Sequence, residues 1–504
     1  MIKFFESPRW KNYIVFFHNA EYDLSTLYDN IYKLDPNAVF NGSKFITATN
    51  GVVKFGDSMN ILPTSVADLG NMLGIPKGTP DFDNARLSEI ADYCVNDCRI
   101  VYEALFKAFS MANAKLTIGS LSVELYRRYF LDKRYYVDTI NDEFFEAYFG
   151  GRTEAFKLGK VDANVYDINS AYPYVMLTSK FPDPERIRIK ENLSSRELAT
   201  IMKSYEGMAR VTVEIPDMHI PPLPVRHEKQ LIFPTGTVTG SWVFPELRNA
   251  LRNGVKIKEV HRVLFSKPIE SPFKKFVTHY YMRRMETDNE FLRYYYKLLL
   301  NNLYGKLAQR STTRSVMLHK KAKPREIMKR WGAKTAELLE TEYGNFLIMQ
   351  VKPRPKSHTI ASWAAYITAG VRIMLYQAFT KDTLYCDTDS IFLPVGKKFP
   401  LKLSNDLGGW KKEKKRVKHI YALKDYDYID ETGNAKRKVK GVKKNSLQVS
   451  KYEFEYLRMI KTRESFRRID GLPAGTFIKQ RKKLTGKYTK RITTKNGKTK
   501  PLHL

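Results

Sequence analysis

Three aspartates sit where apolar sequence would hold them out of water. Asp167 follows Asn164, Val165 and Tyr166 and opens Asp167-Ile168-Asn169-Ser170-Ala171-Tyr172-Pro173, so a strand ends in a carboxylate and a proline-marked turn. Leu384 and Tyr385 lead into Cys386-Asp387-Thr388-Asp389-Ser390-Ile391-Phe392-Leu393, where two apolar strand segments bracket two more carboxylates. In extended chain, spacing i, i+2 puts Asp387 and Asp389 on one side. Like charges so placed repel unless a cation neutralises them, and carboxylates with water and substrate phosphates are the ligand set Mg²⁺ accepts. A lone Asp-x-Asp is ordinarily a surface turn. The apolar strands argue against that here, because a buried unpaired carboxylate is costly.

Between the two acidic sites, residues 272–308 carry the pattern of a helix, with Arg293, Lys297, Asn301 and Tyr304 recurring along it before Gly305. At about 100° per residue, Asn301 lies roughly 40° from Lys297 and Tyr304 about 20° the other way, so the four share a face. Leu298, Leu299 and Leu300 turn largely elsewhere, toward a core. Such a stripe suits a triphosphate and a flat base, with cations for the phosphates and a ring for stacking. Alone it would be a solvated basic face. Combined with the carboxylates it reads as a two-metal phosphoryl-transfer site with a nucleotide grip.

The elements that must hold these groups are mixed. Near the start, residues 13–17 read as a buried strand and 22–34 as a helix. Residues 45–48 and 52–55 flank Asn50-Gly51, a two-residue hairpin signal. Thr64 or Ser65 can cap a helix running to Leu73, and Ser88 a longer one through about Ala112. Gly150 and Gly151 mark a hinge, since adjacent glycines weaken any regular element. A Pro-rich, strand-like stretch occupies 215–234, and 358–379 reads as a further helix. The expected fold class is α/β and α+β, with several domains.

The 504 residues carry 86 Lys and Arg against 53 Asp and Glu, a formal charge of +33, with 43% hydrophobic and 13% aromatic residues. That apolar content excludes a disordered tail. The charge makes a polyanion the default partner, an anionic membrane surface being the rival. No run approaches the roughly 20 apolar residues of a spanning helix, and Glu6, Pro8, Arg9 and Lys11 interrupt any signal peptide. The protein is therefore expected inside a cell, with no membrane partner. Cys94, Cys98 and Cys386 are too few for a disulfide framework and lack zinc spacing; Cys94 and Cys98, one turn apart, are expected to pack as small apolar residues. Net charge is −4 over residues 1–150, +17 over 151–409 and +20 over 410–504, and ten Lys and Arg fall between Lys479 and Lys500. The basic end suits a clasp on a duplex backbone.

The motifs resemble those of family B DNA polymerases. Asp167 to Pro173 resembles the first polymerase motif, Asp-x-x-Ser-Leu-Tyr-Pro, with Ala171 in the Leu place. Lys297 to Gly305 resembles the second, Lys-x-x-x-Asn-Ser-x-Tyr-Gly, with Asn302 replacing Ser, and Tyr385 to Ser390 matches the third, Tyr-x-Asp-Thr-Asp-Ser. Tyr148-Phe149-Gly150-Gly151 is similar to the Tyr-x-Gly-Gly linker, and Lys424-Asp425-Tyr426 to the Lys-x-Tyr motif, of the protein-primed subgroup that copies linear phage and plasmid genomes. The resemblance covers nearly the whole chain. It implies an RNase H-like exonuclease domain followed by a right-hand polymerase of palm, fingers and thumb. The implied domains are 1–147 exonuclease-like, 148–181 linker and first part of the palm, 182–270 a first insertion, and 271–308 fingers. A second insertion at 309–356, the second part of the palm at 357–444 and a basic thumb at 445–504 complete them.

By the same resemblance, Asp167 and Asp389 would hold two Mg²⁺ ions, with Mn²⁺ as a substitute, and Asp387 would be an essential neighbour. Ser170, Ala171, Tyr172, Arg284 (or Arg283), Arg293, Lys297, Asn301 and Tyr304 would bind the incoming dNTP, Tyr172 stacking under the deoxyribose to exclude a 2′-hydroxyl. Tyr148, Gly150, Gly151, Thr388, Lys424 and Tyr426 would contact template-primer DNA. The subgroup's Thr-x-x-Gly/Ala-Arg element is missing from Ala361-Ser362-Trp363-Ala364-Ala365, so its DNA contact is expected to be absent or supplied elsewhere, Arg372 being the candidate substitute.

In the front segment, Asn19-Ala20-Glu21-Tyr22-Asp23 and Tyr93-Cys94-Val95-Asn96-Asp97 resemble the second and third motifs of the proofreading 3′-5′ exonuclease, and Lys77 stands in the region of its extra lysine. Asp23 and Asp97 would be metal ligands and Tyr93 would orient a water. The first motif, Asp-x-Glu, belongs several tens of residues before Asn19; only eighteen residues precede it, none spelling Asp-x-Glu. Either the start is truncated or proofreading is lost, and weak or no exonuclease activity is expected. The implied function is a template-directed DNA polymerase, primed by a terminal protein and working with a single-stranded DNA binding protein. Its location would be the cytoplasm of a host cell, an organelle plasmid being the other origin. The rival is a non-catalytic single-stranded DNA binding protein on a degenerate polymerase fold, which the charge and 31 Tyr would suit. Such a binder has no use for three embedded aspartates. An RNA polymerase or reverse transcriptase would instead place two adjacent aspartates in a Tyr-x-Asp-Asp turn.

Overall fold

A computed structural model describes every residue except 36, 43, 138, 319–321, 342–343, 443–445 and 466–471. The chain forms two compact units, Met1–Phe130 with His279–His358 and Glu455–Arg481, and Leu131–Thr278 with Thr359–Phe454 and Lys482–Leu504. The first stretch of the first unit runs to Phe130, and residues 445–504 are divided between the two units. Among the described residues no helix is long and apolar enough to cross a membrane.

In the first unit, Ile14–Phe17 runs parallel to Lys54–Asp57, which pairs antiparallel with Lys44–Thr49 and so leads to Val39–Asn41. Leu24, Ile31, Phe45 and Phe55 form its core. Ile14–Phe17 is half-buried along its length and not the fully buried strand expected. The hairpin turn is longer than two residues: Thr49 pairs with Lys54, and Asn50 Oδ1 accepts the amides of Val52 and Val53 at 3.0 and 2.9 Å. The expected helix over 22–34 is two, Ala20–Tyr28 and Ile31–Leu34, because Asp29 turns to φ +59° and Asn30 caps the second. The long helix Leu87–Ala108 is capped at Arg86, two residues before Ser88: Glu89 accepts both the Arg86 amide (3.1 Å) and its guanidinium (2.7 Å). Cys94 and Cys98 are exposed on it, correcting their expected burial. The helix expected over 272–308 is interrupted after Glu286 and restarts at Glu290, where the Asn289 side chain accepts the Leu292 amide at 2.9 Å. Residues 309–356 include an antiparallel sheet in the order Arg310–Leu318, Gly344–Pro355, Thr335–Thr341.

In the second unit, seven antiparallel strands follow the order Ala435–Val439, Asp425–Ile429, Trp410–Ala422, Gly159–Ile168, Ser390–Pro394, Tyr385–Asp387, Thr153–Ala155. The central strand is apolar on both sides. Tyr166 and Ile168 join a cluster with Val175, Val371 and Leu375 of the helices Ala171–Thr178 and Ala361–Gln377. Ala163 and Val165, one register away, join Tyr385, Phe392, Val417 and Tyr426 on the other side. The two helices approach closely because Gly370 carries no side chain: a Cβ there would meet Val175 Cγ1 at 2.4 Å. Within 215–234, the Pro-rich stretch, only Val225–His227 and Gln230–Ile232 form a described hairpin after the strand that ends at Ile215. A second sheet, ordered Gly236–Val243, Glu206–Ile215, Lys256–Ser266, Arg188–Glu191, packs on Ser195–Ser204 and Phe244–Arg252 around Trp242 and Leu247.

Candidate functional site

Register brings the first and third motifs side by side. Asp167 stands opposite Ser390 on one flank and Lys411 on the other, and the Ile168 amide donates to the Asp389 carbonyl at 2.9 Å. Asp387 and Asp389 are not on one side of an extended strand as expected. Asp387 pairs with Ser390, so Thr388 and Asp389 form a two-residue turn, with Thr388 at φ +64° and the Asp389 amide on the Asp387 carbonyl at 2.8 Å.

The turn gives the aspartates different surroundings. Asp387 is paired: Lys424 Nζ lies 3.0 Å from its Oδ1, which also accepts the Thr388 and Thr153 hydroxyls at 3.2 and 3.4 Å. Asp389 is held above the usual carboxylate range by burial and by Asp387. Asp167 is pushed up to about 7 by burial first, then by Asp389 and Glu413, with Lys411 and Lys415 opposing. A cation is what this pair wants. Among the described residues no group of three His, Cys, Asp or Glu stands ready for a metal, but Mg²⁺ keeps much of its water and takes one or two carboxylates plus phosphate oxygens. The all-oxygen pair Asp167 and Asp389 fits that demand.

Ser170 takes φ +50° and leads into Ala171–Thr178. Ala171 is buried, and Tyr172 packs half-buried against the core. At the Tyr-x-Gly-Gly segment, a Cβ on Gly151 would meet Thr388 Cγ2 at 2.8 Å, so glycine here is a condition of the turn's position. The segment is pinned by long-range hydrogen bonds to its carbonyls. Arg372 Nη1 donates to the carbonyls of Phe149 (2.7 Å) and Gly150 (2.8 Å), and Arg226 to those of Glu146 and Tyr148. Arg372 is 3% exposed and paired with Glu246 at 2.7 Å, so it has no surface for the DNA contact expected of it. Lys424, at φ +56°, donates its amide to the Tyr385 hydroxyl at 2.8 Å. Tyr426 is 2% exposed and packs on Phe392 and Tyr385; its ring supports the hairpin and is not offered to a ligand, contrary to expectation.

The helical stripe belongs to the first unit. On Glu290–Leu307, Tyr295, Tyr296, Leu299, Leu300 and Leu303 are buried. Arg293 and Lys297 are exposed, with Asn301 and Tyr304 half-exposed on the same face. Arg284 is close enough to Arg293 for the two charges to oppose each other. Asn302, the departure from the motif, donates to the Leu298 carbonyl of its own helix at 2.8 Å.

The front motifs also converge within the first unit. Lys77 Nζ binds Asp97 at 2.7 Å and lies 4.9 Å from the Tyr93 ring centroid. Asp23 is held high by burial and by Asp57. Asp57, which sequence reasoning passed over, accepts the amides of Asn19 (3.1 Å) and Met59 (2.9 Å). The ring nitrogens of His18 meet Ser58 Oγ and the Thr64 carbonyl, both at 2.8 Å. Around the polymerase motifs the residues missed were Lys411, Glu413 and Arg152. A charged alternation beside Trp410 was the available signal for the first two; none existed for Arg152.

A profile described as DNA polymerase type B, organellar and viral, matches residues 80–390. The DNA-directed DNA polymerase of Enterobacteria phage PRD1 is 25% identical over 397 residues, 74% of this chain and 65% of the relative. The DNA polymerase of Bacillus phage phi29 is 25% identical over 397 residues, 72% of this chain and 65% of the relative. The chain thus spans just under two thirds of the length of these curated relatives. A solved structure of phi29 DNA polymerase complexed with primer-template DNA superposes with a TM-score of 0.65 at 18% identity, over 94% of this chain and 91% of that one.

Proposed function

The chain belongs to the organellar and viral type B DNA polymerases and has a multidomain family B fold, and we propose that it is a template-directed DNA polymerase that adds dNTPs to a primer 3′-hydroxyl. The observation that carries the reading is the Asp167–Asp389 juxtaposition, one carboxylate near the end of a strand and one in the turn beside it, with Asp167 held to about 7. Divalent metal, as two Mg²⁺ ions or Mn²⁺ at Asp167 and Asp389, would supply activation of the primer 3′-oxygen and neutralisation of the leaving pyrophosphate. Asp387, already neutralised by Lys424, orients the hairpin. Ser170, Ala171 and Tyr172 receive the sugar and phosphates, Tyr172 lying beneath the deoxyribose. Arg284, Arg293, Lys297, Asn301 and Tyr304 grip the triphosphate and base. Tyr148, Gly150, Gly151, Thr388 and Lys424 face the template-primer.

The resemblance of the Tyr-x-Gly-Gly and Lys-x-Tyr segments to the protein-primed subgroup supports priming by a terminal protein's hydroxyl on a linear phage or plasmid genome, with a single-stranded DNA binding protein as a further partner in this reading. Proofreading is weak or lost in this reading, since Asp23 and Asp97 alone lack the ligands that bridge two ions. Mg²⁺-dependent degradation of single-stranded DNA abolished by Asp23→Ala would defeat that part. Primer extension on a nicked template with dNTPs and Mg²⁺ tests the whole: Asp389→Ala should abolish it, and undiminished extension would reject the site.

A further inference from the structure

We infer that Arg491 is a positioning residue for the hairpin bearing Asp387 and Asp389, acting through Glu154 and Arg152; the inference rests on the polymerase reading above. Thr153–Ala155 is the edge strand beside that hairpin, with Glu154 opposite Cys386 and Thr153 opposite Asp387. An edge strand presents a row of unpaired backbone groups, and here residues 488–499 close it. The Ala155 amide donates to the Tyr488 hydroxyl at 3.0 Å, Lys490 Nζ to the Thr153 carbonyl at 3.1 Å, and Thr499 Oγ1 to the Ala155 carbonyl at 2.8 Å.

Arg491 enters this layer with no exposed side-chain surface. Its Nη1 lies 3.3 Å from Glu154 Oε1, its Nε donates to Thr499 Oγ1 at 2.8 Å, and its Nη2 to the His219 carbonyl at 2.7 Å. The other oxygen of Glu154, itself fully buried, takes Arg152 Nε at 2.7 Å. The Arg152 carbonyl accepts the Thr388 amide at 2.7 Å. Two residues, Glu154 and Arg152, therefore connect Arg491 to Thr388, the turn residue next to Asp389. A buried Arg–Glu–Arg group is a weak source of net stability, but its bonds are directional. A turn that keeps a threonine at φ +64° persists only when its surroundings over-determine it.

The test uses the full chain with Arg491→Met, Arg491→Lys and, as a near-isosteric second variant in case the first does not fold, Thr499→Val. Amide hydrogen exchange over residues 384–392 is measured beside single-nucleotide incorporation kinetics. Arg491→Met and Thr499→Val should speed exchange in that segment at least about tenfold while Lys256–Ser266 is unchanged. They should lower kcat by about 10- to 100-fold with KM for dNTP and DNA affinity unaltered, and Arg491→Lys should recover part of both. Unchanged exchange, or a raised KM with kcat intact, would overturn the inference. Because exchange is read without catalysis, accelerated exchange in a chain whose extension ignores Asp389→Ala would uphold the mechanical link and overturn only the polymerase reading.

Discussion

Asp167→Asn should make the metal-free protein more stable while removing its activity. The folded chain holds the Asp167 proton to about 7, against an ordinary value of 3.8, through burial, Asp389 and Glu413. Carrying the charge in the fold therefore costs on the order of 4 kcal/mol. The unfolded chain releases this proton near pH 4 and the folded chain near pH 7. Between those values the folded state binds more protons, so this group's contribution makes stability fall as pH rises, and the loss is complete by about pH 8. Asparagine keeps the shape and removes the charge. Urea unfolding in EDTA, followed by the fluorescence of Trp242, Trp363 and Trp410 in the second unit, should find the variant at least about 2 kcal/mol more stable than its parent at pH 8. Near pH 4 the difference should shrink below about 1 kcal/mol. Adding Mg²⁺ at pH 8 should stabilise the parent and leave the variant nearly unchanged, since a ligand stabilises only the state that binds it. A variant equal to or weaker than its parent at pH 8 in EDTA would show that Asp167 is not held against Asp389, and the site argument would fall with it.

Three further outcomes follow from the same geometry. Arg372→Met strands Glu246 as a buried lone carboxylate, so it should cost about 3–5 kcal/mol; Arg372→Met with Glu246→Leu should recover at least half of that in the urea assay, and failure to recover would deny that the pair is coupled. Gly151→Ala sets a methyl 2.8 Å from Thr388, so single-nucleotide turnover should fall at least about tenfold with little change in dNTP KM; an unaltered rate would mean that the turn tolerates displacement. Lys424→Met leaves Asp387 without its cation and should lower kcat by about tenfold with dNTP KM held, whereas a change in KM alone would assign Lys424 to substrate binding.

The parts of the fold that could be read in advance are those decided by local burial. The strands around Asp167 and Asp389 were legible because their apolar residues alternate or run together as a two-sided core demands, and the Glu290–Leu307 stripe because 100° per residue fixes which side chains can share a face. Helix interruptions were less legible. Asp29 and Asn30, and Thr287 to Asn289, break helices through single side chains that stop the ladder and recap it, which a periodic pattern spanning both halves conceals. Pairings across long sequence distances were invisible. Arg372 looks like a cation available for DNA until the fold sets Glu246 and the Phe149 and Gly150 carbonyls around it.

The carboxylate turn shows why the failure at the site is itself informative. Two-residue hairpin turns favour Asn-Gly or Gly-containing pairs, which tolerate positive φ, so Thr388-Asp389 lacks that hairpin signal and, between apolar strands, reads as extended chain. A threonine at φ +64° is disfavoured by its branched side chain, and local preference alone would release it. Three long-range conditions hold it instead: the Arg152 carbonyl on its amide, the missing side chain of Gly151 against its methyl, and the Ile168 amide on the Asp389 carbonyl. Local strain imposed by distant contacts is characteristic of functional sites. Here its effect is specific. An extended Asp387-Thr388-Asp389 would point two equivalent carboxylates the same way, whereas the turn gives Asp387 to Lys424 and leaves Asp389 to Asp167, so that one pair is neutralised by the protein and the other is left for a cation.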